Sequence, residues 1–364
     1  MFSRLLIAVH HHLRKDLIMI FKTIAKEDLK KLFDVHLKDI ECVGPKQVAA
    51  SGGGQPIYQF LPFESFDEIN LDHEKTEYSA KTYFIPFRET LSSFKFNNGD
   101  WTQEINYRKQ PRVLVGLHPC DINALVKLDK VFAKDFFPYP YYLSRRKNTF
   151  VIGIDCEKPC SDGFCSSLSA DVVTHGFDLF LRDIGDKYFV KVGTDRGFNL
   201  LNKINPTDIT PEERKTYRKK TKEFLAGFEK TIRVENLPNT LDIEFESGGW
   251  KKWGDKCLSC GSCSMVCPTC YCYGVSEQVS MDFKKAEKVK QLYSCNLFDF
   301  AQVAGGYNFR PARETRLKYR YYHQHRGFVE SFGEPMCVGC NRCGRACLAK
   351  INPVDVISDL QMEL

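Results

Sequence analysis

No stretch of this 364-residue sequence reaches the ~20 consecutive apolar residues of a membrane span. The apolar pieces nearest the N-terminus, Leu5 to Val9 and Leu17 to Phe21, are separated by His10, His11, His12, Arg14, Lys15 and Asp16. They are too short for a secretion signal, and no small-residue cleavage site follows. G-x-G-x-x-G, Walker and H-E-x-x-H patterns are also missing, so nothing indicates that this chain itself binds NAD, ATP or catalytic zinc. S-G-G-G at 51–54 is glycine-rich but lacks the Gly-Lys-Ser/Thr ending of a phosphate loop, and reads as a turn between extended segments. No charge sign dominates: 52 Lys and Arg against 46 Asp and Glu leave +6. That balance permits an acidic protein partner and does not call for nucleic acid.

Cysteine is not scarce. Sixteen would suggest a secreted disulfide scaffold in a much shorter chain. Here eight of them form two runs of equal spacing. Cys257, Cys260, Cys263 and Cys267 read C-x-x-C-x-x-C-x-x-x-C-P, and Cys337, Cys340, Cys343 and Cys347 repeat the pattern without the proline. This is bacterial ferredoxin spacing, in which three close thiolates hold one 4Fe-4S cube and the fourth cysteine reaches the other. The expected sets are therefore Cys257, Cys260, Cys263 with Cys347, and Cys337, Cys340, Cys343 with Cys267. Structural zinc would use two pairs of pairs rather than two runs of four. Gly261, Gly339 and Gly344 are expected to let backbone N–H groups approach the sulfurs.

Elsewhere the chain alternates helix and strand signals. Leu29, Leu32, Phe33 and Leu37 recur at helical spacing after Thr23, a candidate cap, and Cys42 reads as a small buried hydrophobe. Val113 to Leu117, a helical pattern through Ile122, Leu125, Leu128 and Val131, and Phe150 to Ile154 make a βαβ unit. Its two strands end at His118-Pro119-Cys120-Asp121 and Asp155-Cys156, on the sheet edge where ligands of open α/β folds lie. Cys160 and Cys165 follow in a loop. These four cysteines suit a third 4Fe-4S cluster, zinc, or free buried thiols. A hairpin is expected around Ile184-Gly185-Asp186, and a charged helix with a capping box from Thr210. That helix reads as a solvated face or a docking surface.

Residues 268–336 separate the two runs. The segments Asp282 to Leu292 and Phe298 to Ala304 look helical, and Arg310 to Arg326 mixes arginines with tyrosines. This last stretch is expected to be a helix packing its tyrosines inward and tuning cluster charge, with RNA or DNA binding as the rival. Cys270, Cys272 and Cys295 are spare cysteines, read as buried beside the clusters, as further ligands, or as reactive thiols.

H-P-C-D at 118–121, the Cys156, Cys160, Cys165 loop, C-P-T-C-Y-C at 267–272, V-A-G-G-Y-N-F-R-P at 303–311 and G-E-P-M-C-V-G-C at 333–340 together resemble the beta subunits of cytoplasmic sulfhydrogenase-type nickel-iron hydrogenases. The A subunit of anaerobic sulfite reductase shares the layout. The resemblance runs from about residue 22 to the C-terminus. It implies an electron-relay subunit working between a flavin/NAD(P)-binding subunit and a catalytic subunit, and it favours a third cluster at Cys120, Cys156, Cys160 and Cys165. Hydrogenase, sulfite reductase and heterodisulfide-reductase-like assemblies use similar wiring. A self-sufficient reductase would instead rest on Cys270, Cys272 or Cys295.

The expected fold is α+β: an N-terminal extension over 1–21, with Met19 an alternative start; a mixed α/β domain over 22–245; and a mainly helical dicluster ferredoxin domain over 246–364. Reduced thiolates call for a reducing compartment, the cytoplasm.

Overall fold

The computed structural model describes residues 20–50, 56–133 and 137–362. The histidine run, Met19 and the S-G-G-G turn lie outside them. β1 (Ile20–Ala25) opens the fold, taking Ile20 and Phe21 from the segment read as extension, and runs into α1 (Lys26–Lys31). Thr23 does not cap this helix. It lies within β1, its hydroxyl 2.9 Å from that of Thr207, and Ala25 stands at the N-cap with no side-chain cap. The apolar spacing still marks the inward face: Leu29, Leu32, Phe33 and Leu37 are buried in one core cluster. Cys42 on β2 (Glu41–Ala50) is buried beside them, its thiol pushed up to about 11 by burial and by Glu41.

β3 (Pro56–Phe63) pairs antiparallel with β2; β4 (Arg88–Asn97) and β5 (Asp100–Ile105) start a second sheet. β6 (Arg112–Leu117), α2 (Pro119–Phe132), α3 (Pro140–Lys147) and β7 (Thr149–Ile154) form the expected parallel unit, with Val113 opposite Phe150. Every residue of β6 is buried, as a strand covered on both faces requires. β8 (Leu179–Asp183) and β9 (Lys187–Val192) are the expected hairpin and complete a seven-stranded sheet of order β1-β9-β8-β7-β6-β2-β3. α4 (Asp195–Leu201) follows, then α5 (Pro211–Ala226), whose Thr210 and Glu213 make the capping box. Among the described residues, no helix is long and apolar enough to cross a membrane.

α6 (Leu237–Ile243), α7 (Gly248–Lys256) and α8 (Ser262–Val266) lead into and out of the first cysteine run. The next element departs from the helical expectation. Tyr273–Val279 is β10 and Lys285–Leu292 is β11, an antiparallel pair. Apolar residues at 283, 286, 289 and 292 recur at every third position and so imitate a helix, while the register shift in the pairing with β4 leaves Leu91 of β4 as the extra residue opposite Lys288 and Val289. β11 also pairs with β4, giving a four-stranded sheet of order β10-β11-β4-β5. Strands from both sides of the expected boundary near 245 thus share one sheet. Only short 3-10 turns occur at Phe298–Ala301 and Ala304–Gly306. α9 (Arg313–Tyr322), α10 (Phe328–Phe332), α11 (Arg342–Arg345) and α12 (Pro353–Met362) complete the chain. This C-terminal part is mixed helix and sheet rather than mainly helical.

Candidate metal centres

The two cysteine runs fold alike. Each has left-handed backbone at its third and fifth positions: Ser259 (φ 53°) and Gly261 (φ 79°) in the first, Gly339 (φ 66°) and Asn341 (φ 53°) in the second. This curls the chain so that a backbone N–H turns back onto the leading cysteine. Ser259 N–H donates to Cys257 Sγ at 3.4 Å, and Gly339 N–H to Cys337 Sγ at 3.4 Å. Of the three glycines expected to admit such bonds, Gly339 is the one that makes it. The reasons at the other two are steric: a Cβ on Gly261 would lie 2.8 Å from Ser294 Cβ, and one on Gly344 2.3 Å from Asn341 Oδ1.

The fourth cysteines cross over. Cys257, Cys260, Cys263 and Cys347 line one hollow, with Arg320 and Tyr321. Cys267, Cys337, Cys340 and Cys343 line the other, again with Arg320. Cys343 borders both hollows. Cys260 is exposed, whereas Cys267 and Cys340 are buried, so the first hollow is the one nearer solvent. Burial pushes the Cys343 thiol up to about 12, so it holds its proton until a metal core takes that place.

The remaining expected set gathers against the second hollow. Cys120 opens α2, Cys156 follows β7, and Cys160 and Cys165 lie in the next loop. Cys156 is within electrostatic reach of Cys160 and Cys165, and Cys120 within reach of Cys165 and Cys340. Cys120 and Cys165 pack with Val338 and Cys340 in one small cluster. Burial raises the Cys160 thiol to about 11 and Cys165 to about 12. The loop and the second ferredoxin run touch backbone to backbone: Phe164 N–H donates to Gly339 O at 2.8 Å. A Cβ at Gly339 would stand 2.6 Å from Phe164 O and 2.7 Å from Cys165 Cα. Gly339→Ala is therefore expected to cost about 3 kcal/mol from left-handed strain and overpacking. A lowered melting temperature, with loosening of the 156–165 loop in hydrogen exchange, would register it.

The expectation for the basic, aromatic segment holds for the helix and is corrected for which residues point inward. Arg316 and Arg320 on α9 are 4 % and 6 % exposed, while Tyr319 is 39 % exposed. Tyr321 is buried as expected. Arg316 donates to Asn296 O at 3.0 Å and to Ser259 Oγ at 3.0 Å, and Arg313 to Cys257 O at 3.1 Å. Asn296 in turn donates to Cys263 Sγ at 3.2 Å. Among the described residues Arg320 has no carboxylate partner, and its Nε lacks any hydrogen-bond partner. Burial opposes its charge, yet Cys263, Cys343, Cys270 and Cys267 around it hold the guanidinium well above its usual range.

Three further buried cations escaped the sequence reading. Arg342 pairs with Asp121 at 2.8 Å, while its Nη1 is buried without a partner and the thiols of Cys340 and Cys120 lie nearby. Lys75 donates to Cys340 O at 2.9 Å, and Lys81 to Cys270 O at 2.8 Å. Arg342 lies between two motif cysteines and its place in the run was a usable signal; Lys75 and Lys81 are brought in by tertiary packing alone. His73 stacks on His118 at 4.2 Å, and burial first, then Arg342, pulls His73 down to about 3, so it is neutral. Among the described residues no three His, Cys, Asp or Glu side chains converge as one metal ion would need. The thiols instead ring hollows, and Arg320, whose Nε is orphaned, lines both of them. Anionic iron–sulfur cubes, which need four spread thiolates and compensating positive charge, fit this donor set.

The arrangement is that of an iron–sulfur protein of the electron-transfer class. Residues 256–351 match the family model described as a 4Fe-4S dicluster domain. Sulfhydrogenase 2 subunit beta of Pyrococcus furiosus is 36 % identical over 306 residues, covering 84 % of this chain and 89 % of that protein. The chain belongs to the family of sulfhydrogenase beta subunits and is an iron–sulfur electron-transfer subunit.

Proposed function

We propose that the chain is a three-centre relay in a cytoplasmic complex, between a flavin/NAD(P)-binding subunit and a hydrogenase-like catalytic subunit. Cys257, Cys260, Cys263 and Cys347 would hold one 4Fe-4S cluster, Cys267, Cys337, Cys340 and Cys343 a second, and Cys120, Cys156, Cys160 and Cys165 a third. Bound clusters supply reversible one-electron chemistry, their potentials tuned by hydrogen bonds, charge and burial. The observation that carries this reading is the succession of thiol groups: Cys343 and Arg320 border the first and second hollows, and Cys340 packs on Cys120 and Cys165 of the third group. The chain's own residues do the rest. Arg320 and Arg342 place positive charge between adjacent centres, and Ser259, Gly339 and Asn296 donate to ligand sulfurs. Iron analysis of anaerobically purified protein tests the count: about twelve atoms per chain supports three clusters, and about eight removes the third.

The exposed end of the relay is a candidate docking point. Leu258 and Leu348, 57 % and 76 % exposed, flank Cys260 at the mouth of the first hollow. Leu348→Glu is expected to slow electron exchange with the partner subunit about tenfold, as the loss of one good apolar contact would. Iron content should not change. Stopped-flow bleaching with the purified partner measures it, and an unaltered rate would move the docking site elsewhere. The charged face of α5 is a second place where complementarity can steer a partner. Arg316 and Arg320 are buried, Arg316 bonded to Ser259 of the first cysteine loop, which leaves these two arginines poorly placed to contact nucleic-acid phosphates.

A further inference from the structure

Cys272 and Cys295 stand at the base of the β10–β11 hairpin. Tyr273 pairs with Leu292, and Tyr293 N–H donates to Cys272 O at 2.9 Å, so the ladder extends past the strands with Cys272 opposite Tyr293 and Cys295 two residues beyond, at a diagonal position. Each thiol is the first influence on the other's proton affinity, which places them as near neighbours. Cys272 is half-exposed and Cys295 is buried. On its inner side Cys295 precedes Asn296, whose amide donates to Cys263 Sγ at 3.2 Å. One thiol thus faces the outside, and the other lies next to a residue bonded to a proposed cluster ligand.

We propose that Cys272 and Cys295 form a thiol–disulfide exchange site, taking small disulfides as substrate and drawing electrons from the relay beside it. Cys272 thiolate attacks one sulfur of the disulfide, breaking its S–S bond, forming a mixed disulfide and releasing one thiolate. Cys295, giving up its proton, attacks Cys272 Sγ, closes the Cys272–Cys295 disulfide and releases the second thiolate. Two electrons, which a cluster held at Cys263 would supply one at a time, and two protons would then restore both thiols. The first half needs no relay; the second rests on the function proposed above.

The test uses the iron-loaded full chain under anaerobic conditions, with hydroxyethyl disulfide as probe. Non-reducing peptide mass spectrometry should show the peptides of Cys272 and Cys295 joined, with two equivalents of mercaptoethanol released per chain. Photoreduced deazaflavin should then regenerate both thiols. Cys272→Ser and Cys295→Ser should abolish the linked peptide while keeping wild-type iron content and visible spectrum. Should either variant misfold, maleimide blocking of Cys272 in the native chain must abolish it as well. The proposal is overturned if no linked peptide forms, or if the serine variants lose iron, which would make these cysteines ligands. A linked peptide that deazaflavin cannot reduce, while the visible spectrum bleaches normally, overturns the relay-fed half; failure of the spectrum itself to bleach would count against the relay reading and leave the exchange chemistry standing.

Discussion

Cys347→Ser is expected to remove the cluster of the first cysteine run and leave that of the second. An uncrossed arrangement would do the reverse. Serine keeps the shape and loses the soft thiolate that iron prefers, so a cube held by three cysteines and one hydroxyl should be lost or strongly altered during anaerobic purification. Iron should fall by about four atoms per chain. The surviving electron paramagnetic resonance spectrum should match that of Cys257→Ser and differ from that of Cys337→Ser. Identity with Cys337→Ser instead would refute the crossed sets. The mirror substitution, Cys267→Ser, discriminates less well, because the Cys270 thiol is close enough to Cys267 to stand in for it. Cys347 has a clean test in part because its sulfur accepts Ile351 N–H at 3.4 Å, which fixes it at the first hollow.

Arg320→Met should make both dicluster centres harder to reduce. The guanidinium borders both hollows and, among the described residues, has no carboxylate to neutralise it. A nearby positive charge stabilises whichever state carries the extra electron, so its removal lowers the midpoint potential. At roughly 6 Å and an effective dielectric of ~20, one charge contributes about 3 kcal/mol. For a one-electron couple that is on the order of 100 mV. Potentiometric titration followed by electron paramagnetic resonance would read it, and Arg320→Lys, which retains the charge, should recover most of the shift. Unmoved potentials in Arg320→Met would mean that the arginine is structural only.

The parts of this protein that sequence discloses are those where local chemistry and tertiary structure agree. The cysteine spacing led directly to two hollows, because a thiolate loop has few ways to wrap a cube. The βαβ unit followed from apolar runs whose burial on both faces leaves little ambiguity. The failures have equally physical sources. Thr23 carries a good cap side chain, but its strand pairs first with β9, and its hydroxyl goes to Thr207. The β10–β11 hairpin was masked by Phe283, Ala286, Val289 and Leu292, which recur at every third position where a strand's alternation has a period of two. Lys75 and Lys81 reach the cysteines through folding, so no window of neighbouring residues could announce them.

The sheet shared by β4 and β11 has a consequence for biosynthesis. Lys95 is opposite Lys285, so a strand made early must wait, with an open edge, for most of the polypeptide to leave the ribosome. During that interval the nascent chain carries an adhesive border and the free thiols of Cys120, Cys156, Cys160 and Cys165. Maturation is thereby forced to be late and concerted, and a shortened gene ending before β11 would yield an aggregating fragment rather than a smaller working domain.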